Sequence, residues 1–476
     1  MKRGRLNAGW VGLSVCLIGA AGCRSVGPDY RGPPASAVVN APSAQGAFRS
    51  SSGSAFSPLP VPKAWWRLYD SAALDELVGR ALAANTDLRQ ARANLERSAA
   101  LLREVRAQRL PSVELNFDPS YQQLSAESYL YPDSVSPTGL YDSGISVSYE
   151  VDLFGRLRRA VEAAGADDQA VKAAYELTQV TVAAEVARAY AQVCNAAEQL
   201  TVAQHSLQLQ LQSTALTARL VEAGRAARLD LTRSSERVAQ IRANIPKFEA
   251  EHTNALYRLA ALTGRAPAEY PRSVESCSKA PRLMGPLPVG DATALLRRRP
   301  DVREAERLLA SATARIGVAT ADLYPRVTLG LAAGSTGVLT DFLASRTDRY
   351  GVGLSVHWEG NQAKARARLA AASAVARLAL AQFDGVVLTA LRDTESALST
   401  YSHDLEREDD LSVALARATE AEQEAERLYR GGKIDLLSFL DAQRTRDSAD
   451  EASATSHGRL ASDQVAIFLT LGGGWE

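Results

Sequence analysis

Cysteine is scarce: the 476 residues hold Cys16, Cys23, Cys194 and Cys277, with no C-x-x-C pair. A scaffold built on disulfides and a structural zinc site are both disfavoured. Net charge is absent as well, because 54 Lys plus Arg balance 54 Asp plus Glu. A dedicated nucleic-acid binder would need a cationic surface, so that class is set aside. Aromatic residues are thin at 6%, too few for large cores built on rings. The five histidines, His205, His252, His357, His403 and His457, stand apart without an H-E-x-x-H or i, i+4 pair. No metal site is therefore expected. The glycine-rich stretch 330–337 lacks the Lys-Ser/Thr ending of a phosphate loop. No nucleophile, base and orienting group can be assembled, so neither enzymatic activity nor a cofactor is expected. With 46% hydrophobic and 23% charged residues, disorder over the whole length is excluded too.

Long apolar runs are also missing. Past the N-terminus no stretch approaches the ~20 apolar residues of a spanning helix, so any passage through a bilayer must use strands. The N-terminus itself has a basic head, Met1 to Arg5, followed by an apolar segment that closes on Ala20-Ala21-Gly22-Cys23. This is the pattern of a secretory signal, residues 1–22, cut before a cysteine that is then acylated. Cleavage nearby with Cys23 left as an idle thiol is the alternative. Residues 23–70 follow as a lipidated tether, rich in Pro, Ser, Gly and Ala from 26 to 62 and without apolar periodicity.

What the chain has in abundance is repetition. Asp87, Ala91 and Pro111 recur in matching places as Asp301, Ala305 and Pro325, and the surroundings of Gly224 recur around Gly432. Two structural repeats are expected, 71–290 and 291–476. Each reads as a helix, a β-hairpin and a pair of long helices. The first helix, 74–109, ends at Pro111, as its twin ends at Pro325. Period-two alternation marks strands at 113–117, 145–151, 327–331 and 350–358. Residues 158–221 contain no proline and carry small or apolar residues three or four apart, as do residues 364–429. A helix of that length is on the order of 90 Å long and cannot be the core of a compact globule. Return helices are expected at 231–262, with a bend at Pro246, and at 438–471.

Four strands with one apolar face cannot close a membrane barrel, since the smallest bacterial barrels use eight. Three copies would supply twelve strands and hide every sheet edge from lipid. The fold class that follows is an α+β membrane protein: a long α-helical periplasmic barrel and a transmembrane β-barrel completed by trimerisation, four strands per chain.

Several short motifs in fixed order carry a resemblance: Gly22-Cys23 through Pro28 and Tyr30, Trp65-Trp66, Asp152-Leu-Phe-Gly-Arg156, Leu440-Asp441-Ala442-Gln443 and the ending Leu471 to Trp475. With the duplicated helical frame, the chain resembles the outer-membrane factors, the TolC-like channel-tunnels, and within them the lipoprotein branch that serves resistance-nodulation-division efflux pumps. The resemblance implies a homotrimer in the Gram-negative outer membrane, extending into the periplasm. Its implied partners are a periplasmic adaptor and an inner-membrane transporter, and its implied cargo is drugs or other small molecules. One departure stands out: His357-Trp358-Glu359-Gly360 replaces a longer family segment, so the strand-to-helix junction there is expected to be atypical.

Gly224 and Gly432 interrupt the long helices and are expected to form the periplasmic tip turns. Leu437 and Asp441 lie four apart on one helical face and match the family's constriction. Threefold symmetry would make Asp441 a ring of carboxylates that attracts cations and gates the pore; a solvated helix charge is the plainer alternative. By resemblance, Asp230 and Tyr429 would link adjacent tip helices through a hydrogen bond. Two other functions fit parts of the pattern: the exit duct of a type I protein secretion system, and a non-conducting periplasmic coiled-coil scaffold.

Overall fold

The computed structural model describes residues 25–32, 36–125, 127, 132–283 and 285–473; the signal segment, Cys23, Tyr129, Tyr131 and the Gly474-Trp475 ending lie outside them. In chain order the main elements are β1 (Phe56–Ser57), α1 (Ala72–Ala84), α2 (Thr86–Ala107), β2 (Ser112–Gln122), β3 (Thr138–Val151), α3 (Arg156–Glu222) and α4 (Arg228–Leu262). The second repeat follows with β4 (Leu287–Pro288), α5 (Ala292–Arg298), α6 (Pro300–Ala321), β5 (Arg326–Val338), β6 (Asp348–His357), α7 (Gln362–Arg430) and α8 (Leu436–Thr470). The described residues divide into two compact units, one from within 25–35, 95–171 and 305–383, the other from within 36–94, 172–304 and 384–473. Each repeat contributes to both.

In the first unit, β2, β3, β5 and β6 form one antiparallel sheet in that order, the two hairpins joined through β3 and β5. Register places Leu115 opposite Ile145, Ile145 opposite Ala333, and Ala333 opposite Tyr350, so one face is a band of apolar side chains. Leu115, Phe117, Tyr350, Val352 and Leu354 on that band are exposed, Tyr350 at 93%. Alternation sends polar residues to the other face. There Asp142 accepts from Asn116 Nδ2 at 2.9 Å and from Thr336 Oγ1 at 3.0 Å, and it pairs with Arg349, a ladder across all four strands.

The two strand-to-helix junctions differ. In the first repeat Asp152 accepts from the backbone N–H groups of Leu157 and Arg158, while Arg156 forms a two-pronged ion pair with Glu150 at 2.6–2.8 Å. In the second, Asn361 Oδ1 accepts from Ala363 N and Trp358 Nε1 donates to Leu323 O. Asn361 therefore does the capping that Asp152 does in the first copy.

In the second unit the core is built on Trp65, fully buried and stacked on Phe468 with centroids 4.7 Å apart, among Leu74, Val78, Val186, Leu259, Leu295 and Leu460. A disulfide joins Cys194 on α3 to Cys277 in the strap that connects the repeats. A separation of 83 residues gave no local signal of the bridge. The strap is also held by Gln464, whose amide accepts from Leu283 N and donates to Leu283 O, and by Arg282 beside Glu408 at 3.6 Å.

Three expectations need correction. The helix expected over 74–109 is two helices, because Asn85 Oδ1 accepts from the N–H groups of Asp87 and Leu88 and starts a new helix. Its twin breaks likewise, with Pro300 opening α6. The segment read as a loose tether is packed from Ser36 on. Phe48 and Phe56 are buried, β1 pairs with β4, and Glu395 accepts from the backbone N–H groups of Arg49 and Ser50. Finally, α7 does contain an 18-residue stretch apolar enough to cross a membrane by length and composition. Of that stretch 22% is buried, and the same helix also carries the acidic segment 404–410. At Pro246 the helix α4 runs through unbroken.

Candidate gate at the helical turns

The first long helix of each pair stops by the same device. At the first turn Gly224 takes a φ of +67°, Gly224 N donates to Val221 O at 3.0 Å, and Arg225 N donates to Leu220 O at 2.7 Å. At the second, Gly432 has the same φ, Gly432 N donates to Tyr429 O at 3.0 Å and Lys433 N to Leu428 O at 2.9 Å. This pair of bonds satisfies carbonyls that the ending helix would orphan, and the positive φ is one that only glycine adopts without strain. The expectation for Gly224 and Gly432 as turn residues rests on that chemistry. The helices that leave the turns start differently. Asp230 reaches back to accept from Ala227 N at 3.2 Å, whereas Asp435 caps α8 directly, accepting from Ser438 N at 2.9 Å.

Beyond the second turn α8 has two faces. Leu436 and Phe439 are buried in a small cluster with Ala425, Tyr429 and Ile434 packed about them. Leu437 and Asp441 lie on the opposite face, Leu437 exposed at 53%, and Asp441 pairs with Arg444 three residues on. The first turn presents an exposed leucine in the same place, Leu229.

Within the chain, the hydrogen bond that the resemblance implies between Asp230 and Tyr429 is not made. Tyr429 stacks on Phe439, centroids 5.4 Å apart and planes 3° apart, and its Oη is buried without a hydrogen-bond partner. Burial, and then the charge of Asp230, raise the phenol's pKa above the usual tyrosine range. One Asp230 oxygen is held by the helix-starting bond to Ala227.

Sequence inspection missed two polar networks behind the turns. Asp447 on α8 is buried, accepts from Ser206 Oγ on α3 at 3.0 Å, and lies 3.1 Å from Arg446 and 3.8 Å from Arg237 on α4. It ties three helices together. Burial pushes its pKa up, against the pull of Ser206 and the two guanidinium groups. Further along α8, His457 sits between Glu198, 3.0 Å from Nδ1, and Glu408, 2.9 Å from Nε2. Neither network has a sequence signature, because its members come from helices far apart in the chain.

The family profile described as outer membrane efflux protein matches residues 77–265 and 292–473. The chain belongs to that family. Its members are efflux channels of the outer membrane, not enzymes, and this protein is an outer-membrane efflux component. It is similar over 438 residues to the pyoverdine export outer membrane protein OpmQ of Pseudomonas putida, at 31% identity, covering 90% of this chain and 92% of the relative. The antibiotic efflux pump outer membrane protein ArpC of Pseudomonas putida is 30% identical over 479 residues, covering 97% and 95%. Among solved structures, the outer-membrane channel OprN superimposes with a TM-score of 0.88 at 36% identity, covering 94% of this chain and 99% of that one. The Campylobacter jejuni CmeC channel, at 18% identity and a TM-score of 0.85, shares the fold.

Proposed function

We propose that three copies of the chain close a twelve-stranded barrel in the outer membrane and gather their long helices into a gated periplasmic tunnel. In this reading the protein is the outer duct of a tripartite resistance-nodulation-division pump that exports drugs or other small molecules. The observation that carries the proposal is the four-stranded sheet. Its outer strands β2 and β6 each have a single strand neighbour among the described residues, and its apolar band is exposed. Unpaired backbone N–H and C=O groups in hydrocarbon cost several kcal/mol each, so closure by identical neighbours is the economical way to bury them.

Leu437 and Asp441 form the gate in this proposal, the leucine narrowing the opening and the ring of carboxylates favouring cations. An adaptor docking on the turns opens it. The names of OpmQ and ArpC, one a pyoverdine export protein and the other an antibiotic efflux pump component, support small-molecule cargo. Acylation of Cys23 fits the position of the residues after it. A Cβ at Gly155, just past the end of β3, would lie 2.7 Å from Ser25, and buried Arg159 donates to the carbonyls of Val26 and Gly27.

Planar-bilayer recording of the purified protein, with chemical cross-linking of the same sample, tests the proposal. A cross-linked trimer that conducts, and an Asp441→Asn variant whose reversal potential in a salt gradient shifts away from cations, are the expected results. A protein that cross-links only as a monomer ends the proposal; unchanged selectivity removes Asp441 from the gate.

A further inference from the structure

A cavity of about 360 Å³ opens between α3, α7 and α8 in the helical unit, a volume within the range of small-molecule sites. Three residues of its wall each carry a buried polar atom without a hydrogen-bond partner: Ser213 Oγ, Tyr429 Oη and Gln443 Oε1. Ser213 is 8% exposed and Gln443 4%. Native structures rarely leave such atoms unsatisfied, and three gathered beside one cavity have no bond to lose by turning toward an occupant. Glu422 shares the wall, half-buried, with no ion pair among the described residues. The cations beside it are already engaged, Arg430 with Glu426 at 2.5 Å and Arg446 with Asp447 and Asp450 at 3.1 and 3.4 Å. Burial raises the pKa of Glu422, with the carboxylates of Glu426 and Asp447 adding to it and Arg446 opposing.

Glu422 and these three groups can all accept. A carboxylate and an amide oxygen accept hydrogen bonds only, and the hydroxyl and phenol oxygens offer lone pairs besides the one proton that each can donate. The parallel rings of Tyr429 and Phe439 add an aromatic surface. An anion would be repelled by Glu422, and an apolar guest would leave every acceptor orphaned. We infer that this cavity binds a small organic cation with several N–H donors, a primary ammonium or guanidinium whose apolar body lies against the two rings. The charge-assisted bonds go to Glu422, Gln443 and Ser213, and the rings contribute cation–π attraction. The site is a property of one protomer and does not depend on whether the protein conducts.

Calorimetric titration of the full-length protein in detergent with benzylamine tests this, with benzyl alcohol as the neutral isostere. The expected result is one benzylamine per protomer, no saturable binding of benzyl alcohol, and affinity weakened about tenfold or more by Glu422→Gln, the loss expected when a buried charge-assisted bond is removed. Ser213→Ala, which removes a single acceptor from the wall, should weaken binding by a smaller factor. Circular dichroism confirms that both variants keep their helices. Equal affinity in Glu422→Gln, saturable uptake of benzyl alcohol, or no benzylamine binding at millimolar concentration overturns the assignment.

Discussion

Cys194, fully buried on α3, is bonded to Cys277 in the strap between the repeats. The bond closes a loop of 83 residues, and on the chain-entropy account such a loop contributes about 4.5 kcal/mol by restricting the unfolded chain. Cys277→Ser should lower the apparent unfolding temperature markedly when followed by circular dichroism. Reductant should do so only under conditions that already loosen the fold, since the Cys194 sulfur is shielded from solvent.

Two groups in the helical unit make stability depend on pH in the same direction. Asp463 is raised to about 7, by burial first and then by the hydrogen bond and charge of Asp404. Its folded state holds a proton that the unfolded chain releases near pH 4, so stability is lost as pH rises from there through about 7. His457 is raised by its hydrogen bond to Glu198, against burial, and further by the charges of Glu198 and Glu408, with Arg282 opposing. Its contribution is present below the ordinary histidine value and fades as pH climbs through the raised one. Unfolding temperature should therefore fall between pH 5 and pH 8. Asp463→Asn with His457→Gln should flatten the profile.

Asp230 and Tyr429 separate by experiment. Asp230→Ala removes the bond to Ala227 N at the start of α4, worth about 1 kcal/mol locally. Tyr429→Phe removes a hydroxyl that has no partner and costs nothing there. Limited proteolysis should thus find the first turn loosened in Asp230→Ala and unchanged in Tyr429→Phe. Should assembly bring the two side chains together, both variants raise single-channel conductance; an effect of Asp230→Ala alone assigns it to the turn.

Val352 stands 74% exposed on the apolar band of β6. Arginine there should oppose membrane insertion by about 2–4 kcal/mol if the residue reaches mid-bilayer. The folded fraction recovered in lipid vesicles measures it, and Gly353→Ser on the opposite, polar face serves as the tolerated control.

The long helices were legible because their apolar spacing continues for dozens of residues, and the glycine turns because nothing else in those stretches stops a helix. Strand faces were legible from alternation at Val113, Leu115 and Phe117, but their full length was not, since the strands extend into polar and glycine-rich residues such as Gly334 to Gly337. Asn85 carried a helix-start signal that continuous apolar spacing masked. The packing of Phe48 and Phe56 was hidden by a composition typical of linkers, and the Cys194–Cys277 bond by its sequence distance. Networks such as Ser206–Asp447–Arg237 arise only when three helices meet, and no one-dimensional pattern encodes that meeting.

Superposing Gly224 on Gly432 sets Leu229 against Leu437 and Arg233 against Asp441. The two bends have the same hydrogen bonds, while the charge four residues past the leucine is opposite in sign. In a threefold assembly six bends would meet as a mosaic of alternating polarity, so neutralising Asp441 would leave the arginines of the sister bends to set the field.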